Sequence, residues 1–110
     1  MSDNSFVKWG SCKSTDKNNP DTLEFKVIGK DTVDTEYSIC VRVMRKEGER
    51  WTETMLPLKA HDSTNGSLMR QWQNAADSDL LKLGKHAKIL TWKSTSKNGN
   101  PIRRYKLVII

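Results

Sequence analysis

The sequence lacks any long apolar run, and hydrophobic residues fill only 35% of its 110 positions. A helix that crosses a membrane needs about 20 consecutive, mostly apolar residues, so this absence excludes a helical membrane protein. The chain also carries no apolar signal segment. This predicts a cytoplasmic protein, associated with the nucleoid or, if it is viral, located in the host cytoplasm. At this length one domain with a modest core is expected.

Cysteine is equally scarce. Cys12 and Cys40 are the only two, and neither belongs to a CxxC pair or stands at metal-ligand spacing from a histidine. A disulfide-rich scaffold and a zinc module are therefore excluded. Both thiols are expected to be reduced, and Cys40, which lies inside an apolar run, is expected to fill space in the core. No metal or other cofactor is predicted.

Catalytic motifs are missing as well. The glycines are isolated along the chain, so no glycine-rich loop is present to cradle a phosphate. His61 and His86 stand far apart and outside any triad spacing. Asp77 and Asp79 form a close pair, but their position after a predicted helix favours capping of the next turn over acid–base chemistry. We therefore expect a protein that is not an enzyme.

The last absence is local, and it concerns carboxylates. Residues 85–110 contain seven Lys or Arg and no Asp or Glu, whereas all thirteen carboxylates lie in residues 1–84. The net charge of +6 therefore comes from the C-terminal region. Such a region favours an anionic partner, nucleic acid first and a membrane surface or an acidic protein second. The plain alternative is a basic protein whose charge serves only solubility.

Apolar residues that alternate with polar ones predict strands, and apolar residues three or four apart predict a helix. The predicted elements, of which the fourth is a helix, are Leu23–Val27, Tyr37–Lys46, Arg50–Leu58, Ser67–Ala76, His86–Ser94 and Ile102–Ile110. Gly29 is expected at a bulge, and Pro57 either ends its strand or places it at a sheet edge. Residues 61–66 offer several side-chain oxygens that can cap the helix.

The alternation also predicts which side chains share a face. In the second strand, the two faces are expected to hold Ile39, Val41 and Val43 on one side and Cys40, Arg42 and Met44 on the other. Residues 1–21 are predicted to form an N-terminal extension, in which Phe6 and Trp9 pack on the domain. The alternative for this extension is a flap that contacts a ligand.

The last two strands are predicted to form a β-hairpin. They flank a polar tip, residues 98–101, whose Asn, Gly and Pro either tolerate positive φ or preset φ. This ribbon carries Lys and Arg together with Trp92 and Tyr105. Phosphates pair with cations while bases stack on aromatic rings, so single-stranded nucleic acid suits both groups.

Three strands, a helix and two further strands follow the element order of the OB-fold. A Leu-Lys-Leu-Gly-Lys segment leads into the fourth strand, and a hydrophilic tip joins the fourth strand to the fifth. In these features residues 22–110 resemble single-stranded DNA-binding OB domains of the replication protein A-like, archaeal and phage type. The resemblance implies an all-β, five-stranded barrel that binds single-stranded DNA without sequence preference in replication, recombination or repair.

The chain departs from that family in two respects. It lacks the acidic tail typical of bacterial single-strand binding proteins, and it lacks the four-cysteine zinc module of larger replication protein A subunits. A stripped core domain, or a fragment of a longer protein, is therefore expected.

The residues predicted to contact nucleic acid are cationic or aromatic: Arg42, Trp51, Lys88, Trp92, Lys93, Lys97, Arg103, Arg104, Tyr105 and Lys106. Trp51 and Trp92 are the expected stacking platforms. Burial in the core is the alternative for every ring, most of all for Tyr105, which alternates with apolar residues. The same alternation places Lys88, Arg104 and Lys106 on one face of the hairpin and Arg103 on the other.

Three alternatives remain open at this point. The first alternative is that the ligand is RNA and not DNA. In another, the chain is a protein-interaction module, such as a small viral inhibitor that docks on an acidic surface. For the fold, the alternative is another small α+β sheet with the same element order. Self-association through exposed strand edges and contacts with replication or repair proteins are further expected interactions.

Overall fold

The computed structural model describes residues 6–9 and 12–110, so residues 1–5, 10 and 11 of the predicted N-terminal extension lie outside the described part. The elements are β1 (Asp21–Asp34), β2 (Ser38–Glu47), β3 (Arg50–Ala60), α1 (Ser67–Asp77), β4 (His86–Thr95) and β5 (Pro101–Ile109). All strand pairs are antiparallel, in one sheet of order β3-β2-β1-β4-β5. The predicted order of five strands and one helix is confirmed.

An irregularity lengthens β1 beyond its predicted end. Val27 pairs with Val43 and Thr32 pairs with Val41, so the register between β1 and β2 shifts within this stretch. Gly29 lies inside the shift, and the bulge predicted there is confirmed. Because the chain resumes pairing after the bulge, β1 continues to Asp34 instead of ending near Val27.

A second irregularity lies between β2 and β3. Ile39 pairs with Lys59 and Cys40 pairs with Pro57, so the extra residue is Leu58 of β3, whereas β2 has no inserted residue. Two consecutive residues of β2, Cys40 and Val41, are both buried, so both faces of the strand are covered at this point. The predicted burial of Cys40 is confirmed.

The core lies between one face of the sheet and the apolar stripe of α1. This stripe consists of Leu68, Trp72 and Ala75, at the predicted three- and four-residue spacing. The Trp72 ring stacks on Phe25 with a centroid distance of 6.1 Å. Leu68, Trp72 and Phe25 are almost completely inaccessible to solvent, so truncating any of them is expected to cost about 2–5 kcal/mol of stability.

The helix begins without the predicted side-chain cap. Its N-cap residue is Gly66, and no side-chain hydrogen bond caps the described helix at that position. The nearest substitute is Asn65, whose Oδ1 accepts a long hydrogen bond of 3.4 Å from the N–H of Ser67. The stretch rich in Ser and Asn ends at Asn65, one residue before the N-cap. Its other oxygens therefore do not cap the helix; Ser63 Oγ, for example, accepts from the N–H of Asn65.

Residues 6–9 cover the free edge of β3. Phe6 forms a parallel bridge with Met55, and the N–H of Val7 donates to the carbonyl of Met55 at 2.9 Å. The indole Nε1 of Trp9 donates to the carbonyl of Pro57 at 2.9 Å. Val7 is only 4% exposed and belongs to the core. Pro57 thus sits at a sheet edge, where a proline costs no ladder hydrogen bond, and β3 continues past it.

The opposite edge, on β5, is covered by amide side chains. The Nδ2 of Asn65 donates to the carbonyl of Arg103 at 2.9 Å. The Nε2 of Gln71 donates to the carbonyl of Tyr105 at 2.9 Å, and its Oε1 accepts from the N–H of Leu107 at 2.8 Å. Within the described residues β3 and β5 do not pair with each other; instead α1 packs against both.

Candidate nucleic-acid interface

The register of β4 and β5 divides the hairpin into two faces. Residues opposite each other in an antiparallel pair share a face, and the pairs on the face that points away from α1 are Lys88–Val108, Leu90–Lys106 and Trp92–Arg104. We call this face the basic ribbon. Arg104 and Lys106 are exposed, and Trp92 is half-buried. The alternation predicted for the hairpin is therefore observed, with Arg103 on the other face.

The basic ribbon itself contains no carboxylate. The closest one across the sheet is Glu24 of β1, which lies opposite Lys88. Its Oε2 is 3.6 Å from the Nζ of Lys46, on the side away from β5. Both side chains of that pair are partly exposed, so its energetic contribution is small. Lys88 therefore has a carboxylate opposite it, whereas Arg104 and Lys106, beside the ring of Trp92, pair with uncharged residues.

Trp51 lies on the same outer surface but in different surroundings. The Nζ of Lys26 stands 4.2 Å from the centroid of its ring. The ring of His86 meets it edge-on, at a centroid distance of 5.5 Å. A cation–π contact at such a site contributes about 0.5–1 kcal/mol. One face of Trp51 is therefore occupied, and a base stacks there only on the other face or after Lys26 has moved.

Arg103 is engaged on the inner side of the hairpin. Its Nη1 donates to Thr91 Oγ1 at 3.2 Å, and its Nη2 donates to the carbonyl of Cys12 at 3.0 Å. Burial raises the pKa of the Cys12 thiol, Asp21 raises it further, and the guanidinium of Arg103 opposes both. Arg103 thus joins the N-terminal segment to the hairpin and does not belong to the basic ribbon.

Tyr105 also points inward. Its ring meets Trp9 edge-on with a centroid distance of 5.2 Å and packs against the core. Burial raises the pKa of its hydroxyl, partly opposed by Arg103. Trp9 therefore contacts one side of this ring, and Tyr105 lies on the opposite face of the hairpin from Trp92.

The remaining predicted contacts are dispersed. Arg42 is exposed on the outer face of β2, which β1 separates from β4. Lys97 is exposed in the hairpin turn, where Gly99 adopts the positive φ of +81° expected for the tip. Lys93 is exposed near that turn, and its backbone N–H donates to the carbonyl of Ser14 at 2.8 Å. The structure therefore gathers Lys88, Trp92, Arg104 and Lys106, but not all ten predicted residues.

Sequence reasoning missed an open groove of about 610 Å³ beside the hairpin. It runs between the loop that precedes α1 and the start of β5, and Arg70 lines it together with polar groups such as Asn65, Ser96 and Asn100. The helix pattern was read only for its buried stripe, so Arg70 on the exposed side was not considered. Its position relative to the hairpin depends on long-range packing, which no local pattern encodes.

Among the described residues, no helix combines the length and apolar character needed to cross a membrane. The same part of the chain contains no group of three or more His, Cys, Asp or Glu side chains placed to hold a metal ion. Comparisons with protein-family models, with curated proteins and with solved structures found nothing that matches the chain.

Proposed function

We propose that the protein binds single-stranded nucleic acid without catalysis, and that the basic ribbon is the contact surface. The observation that carries this proposal is the half-exposed ring of Trp92 directly opposite Arg104, on a face with three cations and no carboxylate. A ring and a guanidinium at adjacent positions suit a ligand that offers a flat base next to a phosphate. Membranes and acidic proteins offer the charge but not the base.

The ribbon also has a spacing that suits a linear polyanion. Lys88 of β4 lies diagonally from Lys106 of β5, and Arg104 follows two residues from Lys106. Same-face residues of a strand repeat about every 7 Å, so a strand that runs along the ribbon meets successive cations. Such backbone contacts carry no base preference, which supports sequence-tolerant binding.

Single-stranded DNA is the proposed ligand because the element order resembles OB domains of that class. In support, α1 and residues 6–9 lie in the gap between β3 and β5, as expected for a small barrel that strand pairing leaves partly open. An OB-like barrel, a cytoplasmic location and an accessory role in replication, recombination or repair, with contacts to proteins of those processes, belong to the same proposal.

Tryptophan fluorescence tests the proposal directly. Titration with oligo-dT at low salt is expected to quench the emission, because Trp92 stacks on a base. Affinity is expected to fall steeply as salt increases, since each neutralised phosphate releases condensed counterion. An unchanged spectrum at micromolar protein would overturn the proposal and favour an interaction module. A parallel titration with oligo-U measures the preference between DNA and RNA.

Matched variants locate the surface. Trp92→Ala is expected to weaken oligo-dT binding by about 1–3 kcal/mol, and Trp51→Ala by less, because Lys26 already covers one face of that ring. Arg104→Ala is expected to lower the slope of log affinity against log salt by about one. Lys30→Ala, an exposed cation of β1 beyond the residues that pair with β4, is the control. Equal losses for Arg104 and Lys30 would mean that net charge, and not this face, attracts the ligand.

A further inference from the structure

The capping of the β5 edge stops partway along the strand. Asn65 and Gln71 bind the edge groups of Arg103, Tyr105 and the N–H of Leu107. Because the N–H of Ile110 donates to His86 on β4, the backbone groups of the odd-numbered residues of β5 point away from the sheet. The carbonyl of Leu107 and the N–H of Ile109 therefore face outward, and no hydrogen bond joins them to the described part of the chain.

An apolar groove lies directly beside this uncapped half. It measures about 290 Å³ and runs between the C-terminal half of α1 and β5, with Ala75, Leu80, Leu107 and Ile109 among its walls. Leu80 is an apolar residue that is 47% exposed. An exposed strand edge next to an apolar groove is the combination that extended peptides occupy by adding a strand to a sheet.

The charges on the two sides of this edge differ. On the outer side stand the exposed Lys106 and, one strand further in, Lys88. On the groove side, none of the described residues that line the groove is charged. A strand added here places alternate side chains on these two sides. Its outer residues therefore meet positive charge, and its inner residues meet uncharged walls.

We propose that the uncapped edge of β5, at Leu107–Ile109, binds an extended peptide segment of a partner protein in which acidic and apolar residues alternate. The segment pairs antiparallel with β5, as every strand of this sheet pairs with its neighbours. Its apolar residues lie opposite Leu107 and Ile109 and enter the groove, and their backbone groups bond to β5. Its acidic residues face Lys106. This site shares Lys106 with the basic ribbon but does not include Trp92 or Arg104.

Backbone N-methylation tests the proposal because it blocks one hydrogen bond at a time. A fluorescein-labelled peptide of alternating valine and glutamate is titrated with the protein and followed by fluorescence anisotropy. N-methylation of the valines, whose N–H groups point at β5, is expected to weaken binding by about tenfold or more. N-methylation of the glutamates, whose N–H groups point away, is expected to have little effect. Equal sensitivity at both positions, or none at either, would overturn the proposal.

Protein variants supply a second, independent readout. Leu80→Ser is expected to weaken peptide binding about fivefold to tenfold, because Leu80 forms a wall of the groove. Leu83→Ser is the matched control, since Leu83 is 80% exposed and does not line the groove. An acidic peptide that binds to the basic ribbon in place of nucleic acid would be displaced by oligo-dT. Its affinity would fall in Arg104→Ala and would be unchanged in Leu80→Ser. That pattern would overturn the proposal, and it would leave the nucleic-acid function standing.

Discussion

The two edges of the sheet are covered by different means. On the β3 side the cover is main chain: Val7 pairs with Met55 and inserts its own side chain into the core. On the β5 side the cover consists of two amide side chains, Asn65 and Gln71, which add hydrogen bonds but little apolar burial. The covers protect β3 around Met55 and β5 as far as the N–H of Leu107 from pairing with other chains, while the end of β5 stays uncapped.

The difference shows that forming hydrogen bonds to the backbone groups of an edge strand and adding apolar contacts to the core are separate effects. A primary amide carries one acceptor and two donors, so Gln71 satisfies a carbonyl and an N–H of β5 at once, as a neighbouring strand would. It does so from a helix whose position the core already fixes. The β3 cover contributes to the core itself, so its loss is expected to cost more than loss of the β5 cover.

Deletion of residues 1–10 is the strongest test of this comparison. It removes the buried Val7, the packed ring of Trp9 and the hydrogen bonds to Met55 and Pro57. We expect the free energy of unfolding to fall by on the order of 4 kcal/mol, with a lower melting temperature and self-association through the bare β3 edge. Thermal melting and size-exclusion chromatography with light scattering measure both. A truncated protein that melts unchanged and stays monomeric would contradict the prediction.

Replacing Trp9 alone separates packing from pairing. Trp9→Ala removes the ring contact with Tyr105 and the hydrogen bond to Pro57, and a loss of about 2–3 kcal/mol is expected because the ring is only half-buried. Trp9→Phe retains a ring against Tyr105 but loses the indole N–H, so about 1 kcal/mol is expected. Denaturant unfolding of both variants compares the two contributions. Equal losses would mean that the hydrogen bond, and not the ring, holds the segment.

On the β5 side, Gln71→Leu is the corresponding change. It keeps a helix-compatible side chain but leaves the carbonyl of Tyr105 and the N–H of Leu107 without their partner. A loss of about 1–3 kcal/mol is expected, since two edge groups lose their bonds. Gln73→Leu, at an exposed position of the same helix, is the control and is expected to change stability by less than about 0.5 kcal/mol. Similar effects for both variants would show that the amide does not act as an edge cap.

The smallest expected effect is the pH dependence of stability that arises from Tyr105, the β5 residue in contact with Trp9. Burial raises the pKa of Tyr105 above its ordinary value of 10.0, so the unfolded chain releases this proton at lower pH than the folded one. The contribution of the protonated Tyr105 hydroxyl to the unfolding free energy is therefore complete below pH 10.0, and it is lost as the pH rises through the pKa of the folded state. Tyr105→Phe is expected to flatten the alkaline decline in unfolding free energy. Cys12→Ser is a necessary companion, because the raised pKa of Cys12 acts in the same direction from 9.0 upward. An identical decline in the wild type and in Tyr105→Phe would contradict the assignment.

Much of the fold could be predicted from the sequence, because strands, turns and the apolar stripe of the helix each have a local sequence pattern. The hairpin tip at Gly99 follows from the freedom of glycine to adopt positive φ, and the bulge near Gly29 follows from the frequent occurrence of glycine at bulges within strands. The extra residue of β3 at Leu58 was not predictable in the same way, since the register between β2 and β3 sets it. A one-residue shift changes which residues lie opposite each other, and no local pattern reveals it.

The candidate site was predictable in part for the same reason. Alternation within one hairpin correctly grouped Lys88, Arg104 and Lys106, because their partners are near in sequence. The surroundings of Trp51 were not predictable, because Lys26 and His86 reach it from two other strands. The role of Gln71 was missed altogether, since a polar residue on a helix looks like an ordinary solvent-facing position until the neighbouring strand is in place.

The hydrogen bond between Arg103 and Cys12 has a consequence for the order of events during synthesis. These residues are 91 positions apart, and at roughly 5–20 residues per second the ribosome takes on the order of ten seconds to travel between them. Cys12 therefore leaves the ribosome well before its partner has been synthesised. Contacts of such long range are also slow to form in a refolding chain, so the bonds that join Cys12 and Ser14 to the β4–β5 hairpin are expected to form late, and the segment around Cys12 stays undocked until then.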